Sequence, residues 1–433
     1  MVKKENTPRL LIISNSCLSN STSNGRTLRN FLIGWNAENI AQFYIQNEVP
    51  DFSVCHNYYR VTDGQALKSL LRGTGAGGKM EKTAFAEVTE PNNIAQKKHK
   101  RTSLTMFLRE LVWNSKRWMG RDFDKWIDEY SPEIVLLQSG DSPFMLKLAL
   151  DISRKRNIPL VIYNSEVYYF KDFDYFRAKG ISHMLYPLFH RYYKKVFDKT
   201  IKYASKSIYI CEMVQQLYDK EFNLPSTTIY TATQAKYVEQ KLNENEFVVS
   251  YLGNLGVGRH QGLIDIGNAL QKISPKYKLD IYGKIPNDAV RADFESCQGI
   301  NYKGFISYEQ VLEVMRGSNL LVHVENFSEF YRKDLQYAFS TKIADSLAMG
   351  VGFLVYAPEE MACSKYLKEN EAAFVVSDKN ELIKTINYLI ENTQECRKYS
   401  ETACDLAREN HSFKKNATDF QNVLRDTILG GKI

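Results

Sequence analysis

Short, nearly all-apolar segments recur along this chain with helical periodicity between them, and that alternation limits the fold more than any other feature. Leu10-Leu11-Ile12-Ile13, Glu133-Ile134-Val135-Leu136-Leu137 and Pro159-Leu160-Val161-Ile162-Tyr163 are apolar at successive positions, not at every second one. A strand with two apolar faces belongs in a sheet covered on both sides. Helical spacing fills the intervals, as from Phe144 to Lys155. The scheme repeats in the second half, with strands predicted at 247–252, 278–282, 319–324, 352–355 and 373–376. Helices are predicted there at 263–273, 308–316, 341–349 and 381–391. Two such blocks in 433 residues predict an α/β chain of two doubly wound domains. The seam falls near 225–246, where Pro225, Ser226 and several threonines precede the polar run Asn243-Glu244-Asn245-Glu246. A last helix is predicted over about 412–429, after the break at Asn410-His411-Ser412.

Composition narrows the class. With 44% apolar and 25% charged residues the chain has side chains for real cores and is not a disordered sequence. It has no apolar run long enough for a membrane-spanning helix, and the apolar stretch in the opening MVKKENTPRLLIIS is too short for a secretory signal. Seven scattered cysteines without a CxxC pair predict reduced thiols, a cytoplasmic location and no metal site. A net charge of +7 permits an anionic partner without identifying one. Nucleic acid is not expected, because no nucleic-acid-binding motif accompanies that charge.

Several near-motifs fail on inspection. Gly73 to Lys79 spaces its glycines like a phosphate loop, but Met80 stands where Ser or Thr must reach magnesium. Asp122-Phe123-Asp124 and Asp172-Phe173-Asp174 are short acidic pairs that a solvated surface explains. Gly140-Asp141-Ser142-Pro143-Phe144 lacks the second glycine of a nucleophile elbow. Position says more than pattern here: Asp141 and Glu166 each follow a predicted strand, at the edge where α/β sheets bind ligands. Such carboxylates are either site residues or helix caps. The loop Asn15 to Gly25 is built of small polar residues and leads into a helix, a place suited to an anion.

The second half carries more. Tyr251-Leu252-Gly253-Asn254-Leu255-Gly256-Val257-Gly258-Arg259 runs from a strand into a glycine-rich loop ending in a cation. Glycines permit close approach, and Arg can hold a phosphate through two N–H groups. Phe339-Ser340-Thr341-Lys342-Ile343-Ala344-Asp345 opens a helix. Ser340 or Thr341 can cap it, its free N–H groups and Lys342 favour a phosphate, and Asp345 can accept from a ribose diol. Both loops fall at one end of one α/β domain, which makes joint diphosphate binding the better account.

The succession YLGNLGVGRHQGL, KLDIYG, FSTKIADSLAMGVGFLVY and AAFVV resembles the nucleotide-binding domain of retaining GT-B glycosyltransferases of the group 1 family (family four), over about 247–380. The first half matches that family in outline only, through a strand, a small-residue loop with Asn24-Gly25, and an α/β pattern. The resemblance implies two Rossmann-like doubly wound domains facing a cleft: an acceptor-side domain at 1–230, completed by the C-terminal helix 412–433, and a nucleotide-sugar domain at 231–411. It places Arg259 and Lys342 on the donor diphosphate with Gly25, Gly253, Asn254, Gly256, Phe339, Ser340 and Thr341 around the donor, and Asp345 on the nucleotide ribose. A second family cation falls at Gln261. The first carboxylate of the family's paired acids falls at Tyr337, and Glu325, Glu329 or Asp334 is left to replace it. Asp141 stands near the place of the family's histidine, and Asn24, Asp141 and Glu166 lie on the acceptor side.

The activity so implied is metal-independent transfer, with retention, from a UDP- or GDP-linked sugar to a glycan or lipid-linked acceptor. The setting is bacterial surface polysaccharide or glycolipid assembly, and no cofactor is expected. Lys97-Lys98-His99-Lys100-Arg101 precedes a predicted helix at 104–119 whose Leu104, Phe107, Leu108, Leu111, Val112, Trp118 and Met119 share a face. A basic run beside an apolar face predicts peripheral contact of 97–119 with an anionic membrane. The alternative is a non-catalytic GT-B binding or partner subunit, which Gln261 and the missing first carboxylate favour.

Overall fold

The computed structural model describes residues 7–72, 75–82, 101–235 and 247–430. Gly73 and Lys97 to Lys100 of the motifs above, and Asn243 to Glu246 of the seam, lie outside those residues. The chain divides into two compact units, Met1–Tyr230 with Asn416–Ile433, and Thr231–Lys415.

The first unit is built on one sheet. Its strands are β1 (Leu10–Ser14), β2 (Ile40–Tyr44), β3 (Asn57–Arg60), β4 (Gly78–Met80), β5 (Ile134–Ser139), β6 (Leu160–Asn164), β7 (Lys206–Tyr209) and β8 (Ser226–Thr228). They lie in the order β4-β3-β2-β1-β5-β6-β7-β8. All neighbours are parallel except β3 and β4. β1, β2, β5 and β6 are buried at every position, as two apolar faces require. Strand order reverses direction between β1 and β5, so the crevice beyond their carboxyl ends is the ligand position of this sheet. The helix Phe413–Gly430 joins this unit. Its Phe420 stacks on Phe31 at 4.7 Å, and Gln421 Nε2 donates to the carbonyls of Phe31 (3.0 Å) and Ile33 (2.9 Å).

The second unit holds β9 (Val249–Leu252), β10 (Leu279–Tyr282), β11 (Ile300–Gly304), β12 (Leu320–Val324), β13 (Gly352–Tyr356) and β14 (Phe374–Val376). Their order is β11-β10-β9-β12-β13-β14, all parallel. Its core joins strand residues such as Tyr251, Ile281 and Val322 to Leu263, Ile266 and Leu270 of the helix Arg259–Ile273. The switch in this sheet lies between β9 and β12. β11 was not among the predicted strands, because only Ile300 in it is buried and the apolar run is missing.

The predicted helix at 104–119 is corrected in length. It runs Ser103–Asn114, and Lys116 at φ 57° turns the chain. Trp118 is buried beyond that turn, its ring 5.0 Å from Trp113. Inside the helix it is Ser103, Met106, Glu110 and Trp113 that are buried, and Leu104, Leu108 and Leu111 that are exposed. Glu110 can go inward because it is satisfied: it accepts from Phe144 N (2.9 Å) and Tyr192 Oη (3.1 Å).

Candidate functional site

Two segments of the second unit open at the carboxyl edge of its sheet, the first of them at the β9/β12 switch. β9 ends at Leu252, and the loop Gly253 to Gly258 leads into the helix Arg259–Ile273. Tyr251 Oη donates to Asn254 O (2.8 Å), and Asn254 Oδ1 accepts from Gly256 N (2.8 Å). Gly258 has φ +74°, and a Cβ there would lie 2.1 Å from Asn326 Nδ2. Only glycine fits both demands. Asn326, just past β12, donates to Gly258 O (2.8 Å) and Gln261 Oε1 (3.0 Å), which ties the two strand ends together. Gln261, at the family's second cation position, is therefore part of the loop's fastening.

Arg259 and Glu325 face each other across the switch. The guanidinium donates through Nε (3.1 Å) and Nη2 (2.5 Å) to the two carboxylate oxygens. Both side chains are buried, at 13% and 3% exposure. Burial alone would raise the Glu325 pKa, but the Arg259 charge outweighs it, aided by His323, and holds the carboxyl at about 2. His323 Nε2 lies 3.2 Å from Glu325 Oε1, without the alignment of a hydrogen bond. Of the three carboxylates left open by the sequence, Glu325 is the one beside Arg259. Glu329 is exposed and pairs with Lys333 (2.7 Å), and Asp334 lies half-buried on the helix Glu329–Leu335.

The second segment opens the helix Thr341–Ala348. Helices that return between parallel strands open at the strands' carboxyl edge, so this amino end shares an edge with Arg259. Ser340 is the cap, its hydroxyl accepting from Lys342 N (3.3 Å). Asp345 is 5% exposed. Its Oδ1 accepts from Thr233 Oγ1 (2.7 Å) and Tyr308 Oη (2.9 Å), and its Oδ2 from Lys342 Nζ (3.3 Å). Lys342 also sits 4.7 Å over the Tyr308 ring. Phe339 packs edge-on to Tyr366 (5.2 Å) and parallel to His411 (6.1 Å). Tyr337, at the place of the absent first carboxylate, is half-buried, and burial raises its pKa.

In the first unit, Thr22 caps the helix Ser23–Phe31 through Gly25 N (3.2 Å). Gly25 is buried, and a Cβ on it would come 2.4 Å from Cys17 O, so the loop after β1 closes onto the helix only over glycine. Asn24 is exposed on that helix. The loop is held from inside by Gln42 of β2, which donates to Ser14 Oγ (2.7 Å) and accepts from Leu18 N (2.8 Å). Asp141 follows β5, is buried, accepts from Tyr175 Oη (3.2 Å) and pairs with Arg101. Glu166 follows β6 and accepts from the Tyr168 hydroxyl. Lys171 lies 5.1 Å from the Tyr168 ring and 5.0 Å from the Tyr175 ring. Neither Asp141 nor Glu166 caps a helix: the N-cap after β5 is Ser142, which makes no side-chain cap hydrogen bond.

Tyr308, Thr233, Asn326 and Tyr175 were not candidates in the sequence, and Arg101 was read only as part of the basic run, since each reaches its partner across a gap in the chain that no spacing signals. The near-motifs behave as surface except for Asp174, whose side chain is covered and also pairs with His183 (3.0 Å). Asp122 and Asp124 are exposed in the first turn of the helix Arg121–Tyr130, Asp174 accepts from Phe176 N and Ala178 N, and Lys79 pairs with Glu129. Among the described residues, no three His, Cys, Asp or Glu side chains are grouped to hold a metal ion. No described helix is long and apolar enough to cross a membrane.

Two parallel sheets with reversed strand order, each with its loops at the switch, define the GT-B class. The comparisons agree. HepE of Anabaena in complex with UDP superposes with a TM-score of 0.63 at 12% identity, over 96% of this chain and 100% of that one. Sucrose-phosphate synthase of Thermosynechococcus elongatus gives 0.66 at 11%, over 97% and 99%. A glycosyltransferase of Rickettsia africae gives 0.59 at 12%, over 98% and 99%. At such identities the likeness is one of fold. No curated protein matches the sequence. Residues 264–422 match the family described as "Glycosyl transferase-like". The chain as a whole has the GT-B fold, and its residues 264–422 are similar to that glycosyl transferase-like family.

Proposed function

We propose that this chain transfers a sugar from a nucleotide diphosphate sugar, UDP- or GDP-linked, to a glycan or lipid-linked acceptor with retention at the anomeric carbon. The observation that carries the reading is that Arg259 at the β9/β12 switch and the Ser340-capped helix with Lys342 both open at the carboxyl edge of one sheet. Arg259, Lys342 and the N–H groups after Ser340 supply positive potential where a leaving diphosphate gains charge, so departure needs no metal. Gly253, Asn254, Gly256 and Gly25 line the donor, with Phe339, Ser340 and Thr341 at the helix opening. Asp345 takes the ribose diol through an oxygen it now shares with Lys342. No residue is assigned as nucleophile. On the family resemblance, Asp141, Asn24 and Glu166 are assigned to the acceptor side. HepE has been crystallised with UDP-glucose, and that complex supports a UDP-linked sugar as the first donor to try. The setting proposed is bacterial surface polysaccharide or glycolipid assembly, in the cytoplasm, with peripheral contact to the inner membrane face.

The test is a thermal-shift titration with UDP, GDP and their sugars in EDTA, then turnover with the stabilising donor. A ligand that binds the folded state alone raises the melting point by mass action. Lys342→Ala and a charge-free replacement of the Arg259–Glu325 pair are expected to remove that shift. Full turnover in both would refute the diphosphate assignment.

The second reading, a non-catalytic partner subunit, is favoured by one observation: Glu325 already neutralises Arg259. Nucleotide binding without turnover in the presence of acceptor extracts would favour it.

A further inference from the structure

Four short helices of the first unit carry most of its exposed apolar surface. They are Asp63–Arg72, Ser103–Asn114, Ile181–Met184 and Tyr186–Ile201. Among the described residues of the whole chain, eight of the fourteen large apolar side chains left exposed lie on them. Leu104, Leu108 and Leu111 form one stripe at helical spacing, and Ile181, Met184 and Leu188 form another across the joint at Leu185. Leu67 and Leu71 add a third, with exposure across the set running from 42% at Leu104 to 79% at Leu71. The helices are mutually packed. Phe107 meets Phe189 (5.5 Å) and Tyr192 (6.1 Å), Ser182 Oγ bonds Thr102 Oγ1 (3.3 Å), and Arg109 Nε bonds Asp63 Oδ1 (2.8 Å). The stripes are therefore parts of one region.

The charge around that region has one sign. Between Arg177 and Lys195 the chain has five cations, Arg177, Lys179, Arg191, Lys194 and Lys195, and no carboxylate. Between Arg101 and Met119 the only carboxylate is Glu110, which is buried and hydrogen-bonded to Phe144 N. Asp63 is taken by Arg109 and by Trp113 Nε1 (2.7 Å). Lys68, Arg72, Arg191 and Lys195 are exposed at the edges of the apolar stripes.

We propose that this face docks on an anionic phospholipid bilayer, with the leucines, Ile181 and Met184 entering the headgroup boundary and the lysines and arginines meeting lipid phosphates. Apolar side chains ringed by cations, with Asp63 the one exposed acid on the four helices and paired to Arg109, match such an interface on both counts. A protein partner with an acidic rim shares the charge but not the demand for scattered, separately inserted aliphatics on several helix ends. The proposal deepens the membrane contact read above. It moves that contact from the 97–119 segment to a surface shared by four helices.

The test is flotation of the full chain with vesicles of phosphatidylcholine alone and of phosphatidylcholine mixed with phosphatidylglycerol. The wild type is expected to float with the mixed vesicles only, and less so at high salt. Leu108→Glu with Leu111→Glu, and separately Ile181→Glu with Met184→Glu, are each expected to lower partition by about tenfold or more. Leu108→Ile with Leu111→Ile is expected to keep it, and far-ultraviolet circular dichroism confirms that each variant is folded. Absence of flotation, or equal flotation of the folded glutamate variants, overturns the proposal. So does a wild-type dimer in gel filtration that these glutamates dissociate without any vesicle binding. The UDP-dependent thermal shift is read on the same variants without vesicles. Its absence in the wild type is a failure of the donor reading, while loss of flotation with that shift intact is the result expected here.

Discussion

Breaking the Arg259–Glu325 pair should separate its structural weight from its donor role. Glu325 titrates at about 2 in place of the ordinary 4.5, which corresponds to about 3 kcal/mol of favourable interaction for the charged form. Removing one partner of such a buried pair leaves the other uncompensated, at a cost of about 3–5 kcal/mol. For a unit of this size that is a melting-point drop of about 6–20 °C. Arg259→Met and Glu325→Leu should each show it, followed by circular dichroism at neutral pH. The double variant should recover at least half of the loss, because an apolar pair of similar volume leaves no buried charge. The pH dependence has a definite sign. A depressed carboxyl pKa contributes stability above the unfolded value near 4.5, lost as pH falls towards 2. The gap between wild type and Glu325→Leu should therefore be flat from pH 7 to 5 and close below that. Since the double variant is folded, loss of nucleotide stabilisation in it reports the missing cation and not a missing fold. Single variants that melt within about 2 °C of wild type, or losses that simply add in the double, would refute the reasoning.

Three further outcomes are expected. Gly258→Ala should destabilise by about 1–3 kcal/mol and weaken donor binding, as the backbone is left-handed there and the new Cβ collides with Asn326 Nδ2; chemical denaturation and thermal shift measure both. Asp345→Ala should cost about 1–3 kcal/mol by leaving the Tyr308 and Thr233 hydroxyls without their acceptor, whereas Asp345→Asn should keep most stability while losing the Lys342 ion pair. His411 is fully buried between Thr231 O (2.8 Å) and Tyr366 Oη (3.0 Å), and burial lowers its pKa from 6.5 to about 4. Stability from a neutral buried histidine is full above 6.5 and falls as pH drops towards 4, by about 3 kcal/mol in all, so melting points should decline between pH 7 and 5 in the wild type and not in His411→Gln.

Some of the fold was legible because burial writes itself into local composition. β1, β5, β6, β12 and β13 are apolar at successive positions, and each was found within a residue or two. β8 and β11 were not, because a half-covered strand carries no continuous apolar run, and neither was the fully buried β2, whose run is interrupted by Gln42; the edge strand β14 was found. The helix at Ser103 shows the opposite failure. Periodicity carried it on to Met119, whereas it ends at Asn114, and the face its leucines share is one the structure leaves exposed. The structure buries Glu110 and Trp113, since Tyr192, Phe144 and Asp63, distant in sequence, satisfy their polar atoms.

The site divides along the same line. The sequence by itself determined the alternation of strands and helices, the glycine loop ending in Arg259, and the Ser-Thr-Lys helix opening, because each depends on neighbours within a few residues. Tertiary structure alone decided that Arg259 meets Glu325 and not Glu329 or Asp334, that Gln261 fastens to Asn326, and that Tyr308 and Thr233 close on Asp345. Those contacts join strand ends made adjacent by sheet order, and sheet order is fixed by packing the whole core, which no local pattern encodes.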